Sequence, residues 1–331
     1  MTATAPPATA TACDPITAGT LRDWPLPMPG VDADKEVRGH VMIIAGSREM
    51  PGALLLAATA ALRAGAGKLT IATAASVAGQ LGVALPEARV IGLSETPDGG
   101  LLADGDGARS LRESCQRASA ILIGPGMQDD QACEALVRSL LPHCGHAPLI
   151  LDAAAMFLAR DGNGMRFDSP VLLTPHAGEL AGLTGGKKED IAARPEPAAL
   201  LAAQRLNAVV ALKGSVTVIA SASGRRWRHE GGNTGLAISG SGDVLAGLIA
   251  GLAARGAALE QAAAWGVALH AMAGEQLSLK HGPLGPRQQG RQLAFQPRPG
   301  QPQGLALQAP QRRPRLPVPA VRRLLSGGRP A

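Results

Sequence analysis

Residues 239–243 read Ser-Gly-Ser-Gly-Asp and run directly into the apolar stretch VLAGLIAGLAA. Flexible backbone N–H donors at the positive end of a helix make an anion hole. A bound anion alone would prefer no carboxylate beside it, so Asp243 fits poorly as a mere binder. It suits a general base next to a phosphoryl acceptor, where the protein positions groups, neutralises charge and orients one attacking hydroxyl. The competing account is a helix cap, which would contribute only about 1 kcal/mol.

Five further stretches place small or ionisable residues where a strand ends. AGSREMPGA (45–53) leads into a helix and brings N–H groups to its start, which favours anions. It does not match GxGxxG, and GxxxxGK[ST] does not occur, so neither a Rossmann fingerprint nor a P-loop is supported. IGPGMQ (123–128) allows a ligand to lie against bare backbone, or is a plain turn. In LDAAAM (151–156), Asp152 holds a water or hydrated metal, or caps a helix. In TPHAGEL (174–180), His176 and Glu179 fall at the expected ligand-facing edge, and the spacing from Thr174 to Glu179 is too long for a capping box. In ALKGSVTVIA (211–220), Lys213 ends a strand and meets a nucleotide phosphate or sugar, or sits exposed in a hairpin turn.

These loops need a scaffold that gathers strand ends. HVMIIA (40–45), KLTIATA (68–74), AILIG (120–124), PLILDA (148–153), PVLLT (170–174), AVVALK (208–213) and TVIAS (217–221) are short apolar runs. Helical segments are expected at 51–65, 130–142, 176–184, 196–206, 243–254 and 258–278. This alternation predicts an α/β fold: a three-layer, doubly wound, mostly parallel sheet with helices on both faces. The last two strands are close enough to form a hairpin. In such sheets ligands bind beyond the carboxyl ends of the strands.

The chain has 331 residues, enough for one large α/β domain or two small ones, and its core is aliphatic, with 2% aromatic residues. The net charge of +6 belongs to the tail: residues 286–331 hold nine Arg and no acid, leaving 23 basic against 26 acidic residues elsewhere. Basicity is therefore poor evidence for nucleic-acid binding by the core. The tail also holds nine Pro and eight Gln, a composition expected to stay disordered or to reflect a reading-frame change near Gly285. Residues 1–30, rich in Ala, Thr and Pro, read as a disordered leader, and residues 31–285 as the folded domain. The four cysteines show no metal spacing and are expected to be free thiols. No secretory signal or transmembrane span is evident, so a soluble, cytoplasmic protein is expected.

Taken in order, AGSREMPGALLLAATAALRAGAGKLTIAT, IGPGM, LTPHAGEL, LKGSVTVIA and GNTGLAISGSGDVLAGLIAGLAARG resemble the ADP-dependent (S)-NAD(P)H-hydrate dehydratases, which have a ribokinase-like fold. The similarity runs from about Lys35 to Gly282. The resemblance implies a lyase that repairs hydrated NADH and NADPH. Hydroxide leaves poorly, so ADP (or ATP) phosphorylates the ring hydroxyl, and loss of phosphate restores NAD(P)H and leaves AMP.

By matching position, Ala53, Gly126, His176 and Asp243 are implied to contact the hydrated dinucleotide. Lys213, Gly214, Ser215, Val216, Thr217 and Gly242 are implied to line the nucleotide site. Asp243 is the expected catalytic base, and the Ser241 and Gly242 N–H groups the anion hole. Mg²⁺ is expected with the ADP phosphates, its ligands unassigned. A homo-oligomer, a tetramer, is expected. The chain leaves no room for the N-terminal epimerase domain that many members carry, so a separate NAD(P)H-hydrate epimerase would handle the R form. Two rival readings stand: a small-molecule kinase of the same fold, of hydroxymethylpyrimidine or hydroxyethylthiazole type, and a nucleic-acid binder acting through its Arg-rich tail.

Overall fold

Strands buried on both faces read as continuous apolar runs, and here they assemble into one mixed, mostly parallel sheet. The computed structural model describes residues 13–30, 32–160 and 166–284, all within one compact unit. The strands are β1 (Cys13–Pro15), β2 (His40–Ile44), β3 (Lys68–Ala74), β4 (Ala88–Glu95), β5 (Leu101–Leu102), β6 (Ala120–Ile123), β7 (Leu149–Leu151), β8 (Val171–Leu173), β9 (Val209–Leu212), β10 (Val216–Ala220) and β11 (Arg226–Glu230). The helices are α1 (Ala18–Asp23), α2 (Pro51–Arg63), α3 (Ala75–Ala84), α4 (Gly105–Arg117), α5 (Asp130–Leu140), α6 (Ala177–Thr184), α7 (Lys188–Ala193), α8 (Pro195–Leu206), α9 (Ser241–Ala254) and α10 (Leu259–His281).

The strand order is β1-β11-β10-β9-β8-β7-β6-β2-β3-β4-β5. β2 pairs in parallel with both β3 and β6. The chain therefore runs outward one way from β2 through β3 and β4, then returns to the other side of β2 at β6. That reversal opens a crevice beyond the carboxyl ends of β2 and β6, where open α/β sheets take their ligands. β9 and β10 form the expected antiparallel hairpin, with Leu212 opposite Val218.

Alternate strand residues feed two cores. Val41, Ile43, Leu122, Ile150 and Leu172 pack under α2, α9 and α10. Met42, Ile44, Ile121, Ile123, Leu149 and Leu173 pack under α4, α5, α6 and α8. α9 is apolar all round and buried along most of its length, as a helix between two layers must be. It approaches α2 so closely that a Cβ on Gly247 would stand 2.1 Å from the Ala57 carbonyl oxygen, and one on Gly251 2.5 Å from that of Ala61.

The leader expected over residues 1–30 is ordered from Cys13 onward. β1 pairs in parallel with β11, and the Trp24 ring stacks on Trp227 with centroids 5.5 Å apart. Trp265 Nε1 donates to the Trp24 carbonyl at 2.8 Å. Ile16, Leu21 and Trp24 are buried, so three apolar side chains anchor a segment whose overall composition suggests none. The leader before Cys13 and the tail from 286 lie outside the described residues. All four cysteines are free.

Substituting Gly247 by Ala tests the helix contact. On an exposed helix the change would stabilise by about 1 kcal/mol. Here it should destabilise by about 1–3 kcal/mol through overpacking, read as a lower unfolding midpoint in urea. A neutral or stabilising result would show that the two backbones do not meet.

Candidate active site

The crevice is built from the loops singled out by sequence. The Gly46 N–H donates to the Pro125 carbonyl at 2.7 Å, joining the loop after β2 to the loop after β6. Pro51 opens α2, a position that needs no N–H donor. Ala53 lies in that first turn, and a Cβ on Gly126 would come within 2.5 Å of the Ala53 methyl. Gly126 also has φ +66°, so this close approach of two loops admits only glycine. Ala53 and Gly126 are thus neighbours.

Opposite them stands the start of α9. Gly240, at φ +91°, turns the chain into the helix, and no side chain caps it. The Ser241 N–H donates to the Ile238 carbonyl at 3.2 Å, which corrects the expectation that it lines the anion hole. The Gly242 and Asp243 N–H groups have no backbone carbonyl in the preceding turn, so these two carry the positive helix end. The Leu56 side chain of α2 packs over Gly240, tying the two walls together.

Lys213 connects the rest. Its N–H bonds the Pro175 carbonyl at 2.7 Å, and it bridges to His176 as a parallel extension of β8 and β9. Its ammonium lies 3.1 Å from Asp152 Oδ1 and 3.8 Å from Glu179 Oε2. A Cβ on Gly242 would lie 3.5 Å from it. Burial alone would push this ammonium down, but Asp152, Glu179 and Asp243 outweigh it and hold its pKa above the ordinary value. Asp243 shows the reverse balance. Burial, reinforced by the Asp152 charge and only partly offset by Lys213, raises its carboxyl to about 6. A half-buried carboxylate with that affinity for protons is poised as a general base near neutral pH.

Two expectations change at strand ends. Asp152 does not cap the 3-10 turn that follows it; its carboxylate accepts the Thr174 hydroxyl at 2.5 Å and the Lys213 ammonium. His176, rather than Thr174, is the N-cap of α6. Its Nδ1 accepts from Gly178 and Glu179 N–H, while Glu179 returns a bond to the His176 N–H at 2.7 Å. His176 is therefore structurally engaged, with its other ring nitrogen exposed toward the cluster and 3.7 Å from Glu179. Gly214 and Ser215 form the exposed tip of the β9–β10 hairpin, and Val216 and Thr217 start β10 beside it. Ala53 and Gly126 thus meet between the loops after β2 and β6, while His176, Gly242 and Asp243 gather about Lys213, with Gly214–Thr217 following it in the β9–β10 hairpin.

Sequence reasoning left Asp152 undecided and did not single out His270. His270 is a buried residue of α10 whose Nε2 lies 3.1 Å from Ser241 Oγ. A lone histidine in AWGVALHAMAG carries no signal of its own.

A mostly parallel sheet with a reversal of strand order and an uncapped, glycine-flanked helix end carrying a basic carboxylate define an open α/β protein suited to an anionic ligand at its switch point. The model of the NAD(P)H-hydrate dehydratase family matches residues 41–292. The chain is 46% identical over 270 residues to an ADP-dependent (S)-NAD(P)H-hydrate dehydratase of Xanthomonas campestris pv. campestris, covering 82% of this chain and 90% of that one. A ribokinase-like superfamily protein from Enterococcus faecalis superposes with a TM-score of 0.70 at 28% identity, over 81% of this chain and 89% of the other. The ADP/ATP-dependent NAD(P)H-hydrate dehydratase from Bacillus subtilis, co-crystallised with ATP/Mg²⁺, superposes with a TM-score of 0.69 at 31% identity, over 82% and 92%. The chain belongs to the NAD(P)H-hydrate dehydratase family. It spans about half the length of the bifunctional NAD(P)H-hydrate repair enzymes it also matches. The small-molecule kinase reading is set aside by this membership. Among the described residues, no helix is long and apolar enough to cross a membrane.

The raised Asp243 pKa has a stability consequence. As pH rises, the unfolded carboxyl ionises near its ordinary 3.8 and the folded one only near 6. Folding is therefore disfavoured increasingly between those values, and fully above 6. Asp243→Asn should raise the melting temperature at pH 7–8 and leave it nearly unchanged at pH 4. An equal effect at both pH values would contradict the raised pKa.

Proposed function

We propose that this chain dehydrates the S form of hydrated NADH and NADPH at the expense of ADP, restoring NAD(P)H and releasing AMP and phosphate. The observation that carries the reading is the juxtaposition at α9: a carboxylate basic enough to take a proton stands on an uncapped helix end whose N–H groups suit a phosphoryl group. Ala53, Gly126 and His176 form the dinucleotide side, and Lys213–Thr217 with Gly242 the nucleotide side. Asp243 takes the proton of the ring hydroxyl as its oxygen attacks the terminal phosphorus of ADP, and the bond to AMP breaks. The Gly242 and Asp243 N–H groups stabilise the charge on the transferred group. Phosphate, unlike hydroxide, then leaves with its bonding electrons while the adjacent ring carbon gives up a proton to water, and the ring double bond returns.

An ADP entering this site meets three carboxylates, Asp152, Glu179 and Asp243, around one ammonium. That excess of negative charge supports Mg²⁺ as companion to the phosphates. Among the described residues no group of three or more His, Cys, Asp or Glu is arranged to hold a metal. Mg²⁺ commonly keeps several waters and takes phosphate oxygens with one or two carboxylates. When bound, Mg²⁺ supplies charge neutralisation to the transferring phosphoryl group. A dehydratase of the S form leaves the R form to an epimerase activity.

Incubating the purified protein with NADH hydrate, ADP and Mg²⁺ should restore absorbance at the reduced-nicotinamide band, and Asp243→Asn should abolish it in a folded sample. No recovery with either ADP or ATP would defeat the proposal. The profile of kcat/KM against pH should rise through an apparent pKa of about 6. Asp152→Asn removes a charge that raises Asp243, so its acidic limb should move to lower pH. An unmoved or raised limb would remove Asp243 as the titrating base.

A further inference from the structure

Behind the anion-binding turn lies a buried pair of polar side chains that the reaction scheme does not use. Ser241 is the first residue of α9 and is 6% exposed; His270, midway along α10, is 8% exposed. Ser241 Oγ and His270 Nε2 are 3.1 Å apart. Burial, eased by a bond to the Ser241 backbone and deepened by the Lys213 charge, lowers the His270 pKa to about 4. The ring is neutral in the working range, so one of its nitrogens can donate and the other accept. A buried hydroxyl and a buried imidazole each lose water, and each finds its partner in the other.

The geometry of the turn gives this pair leverage. Ser241 precedes the two residues whose N–H groups are free, and its own N–H is held by Ile238. Gly240 and Gly242, on either side of it, bring no side chain to anchor the turn, and no cap secures the helix start. α10 in turn packs along α9, with Ile249 pressed against Gly266, and its Gly274 takes Leu236 of the turn that precedes α9. His270 thus ties the Ser241 side chain, at the start of α9, to α10, as Leu56 ties Gly240 to α2.

We infer that His270 is a positioning residue: through Ser241 it fixes the first turn of α9, and so the aim of the Gly242 and Asp243 N–H groups and of the Asp243 carboxylate. This rests on the dehydratase reading above. Preorganised donors act only where charge develops, and a displacement of about 1 Å can cost roughly 100-fold in rate.

The test is a double-mutant cycle on the full chain with NADH hydrate, ADP and Mg²⁺. His270→Leu and Ser241→Ala should each lower kcat by roughly 10- to 100-fold with KM for both substrates changed less than about threefold. The double variant should lose no more than the worse single one, because both remove the same constraint. His270→Gln, which places an amide near the Nε2 position, should keep kcat within about fivefold of wild type. Additive losses, a change confined to KM or to melting temperature, or wild-type kcat in His270→Leu would overturn the inference. If His270→Leu does not fold, the cycle closes with Ser241→Ala and His270→Gln: the double must match Ser241→Ala alone, and a further loss overturns the inference. If wild-type protein shows no turnover, the dehydratase reading fails. The cycle is then read as ADP affinity by calorimetry, where non-additive weakening sustains the positioning role and additive or absent effects overturn it.

Discussion

The contact between α2 and α9, backbone against backbone, sets the rest of the molecule. With no side chain at Gly247 or Gly251, α9 lies directly on the carbonyls of Ala57 and Ala61. Two helices in such contact move as one body, because any tilt of one drives its backbone into the other. α2 carries Ala53 in its first turn, and α9 carries Gly242 and Asp243 in its own. The spacing between the two halves of the crevice is therefore a property of the helix pair rather than of the loops. The sheet beneath supplies the crevice itself, since β2 and β6 part company at the reversal of strand order.

Electrostatics then sort the residues within that frame. Three carboxylates face one ammonium, and they do not share it equally. Asp152 is buried and takes Lys213 at hydrogen-bond distance along with the Thr174 hydroxyl. Asp243 is left with a more distant share of the positive charge and the full penalty of its partial burial. The arrangement separates an acid tied up in hydrogen bonds from one whose carboxyl is held more basic, though both stand at element ends. The cost of holding Asp243 basic is borne by the packing of α9, which is buried along nearly its whole length.

Much of this was legible beforehand. The apolar runs of β2, β3 and β6–β10 and the helices α2, α5, α6, α8, α9 and α10 follow from periodicity, because strands buried on both faces leave unbroken aliphatic stretches. Residues 75–117 did not announce themselves. α3 has no polar face to mark it, β4 alternates burial only loosely, and α4 is a polar helix whose few buried residues are Ala108, Leu111, Ser114 and Cys115. β1 carries no signal because it pairs with β11 across more than 200 residues of chain, and β11, which pairs with both β1 and β10, reads Arg-Trp-Arg-His-Glu and offers no apolar run.

By itself the sequence determined the loops that hold chemistry, since glycines, a base and a lysine at strand ends are local features with local physical causes. It also carried the order of five motifs that marks the family. Tertiary structure alone decided what each side chain does there. His176 became a helix cap, the Ser241 N–H went to Ile238, Asp152 became the partner of Lys213, and His270 met Ser241 from another helix. These outcomes depend on which partner lies within about 3 Å after folding, and that distance is set by the packing of elements far apart in the chain.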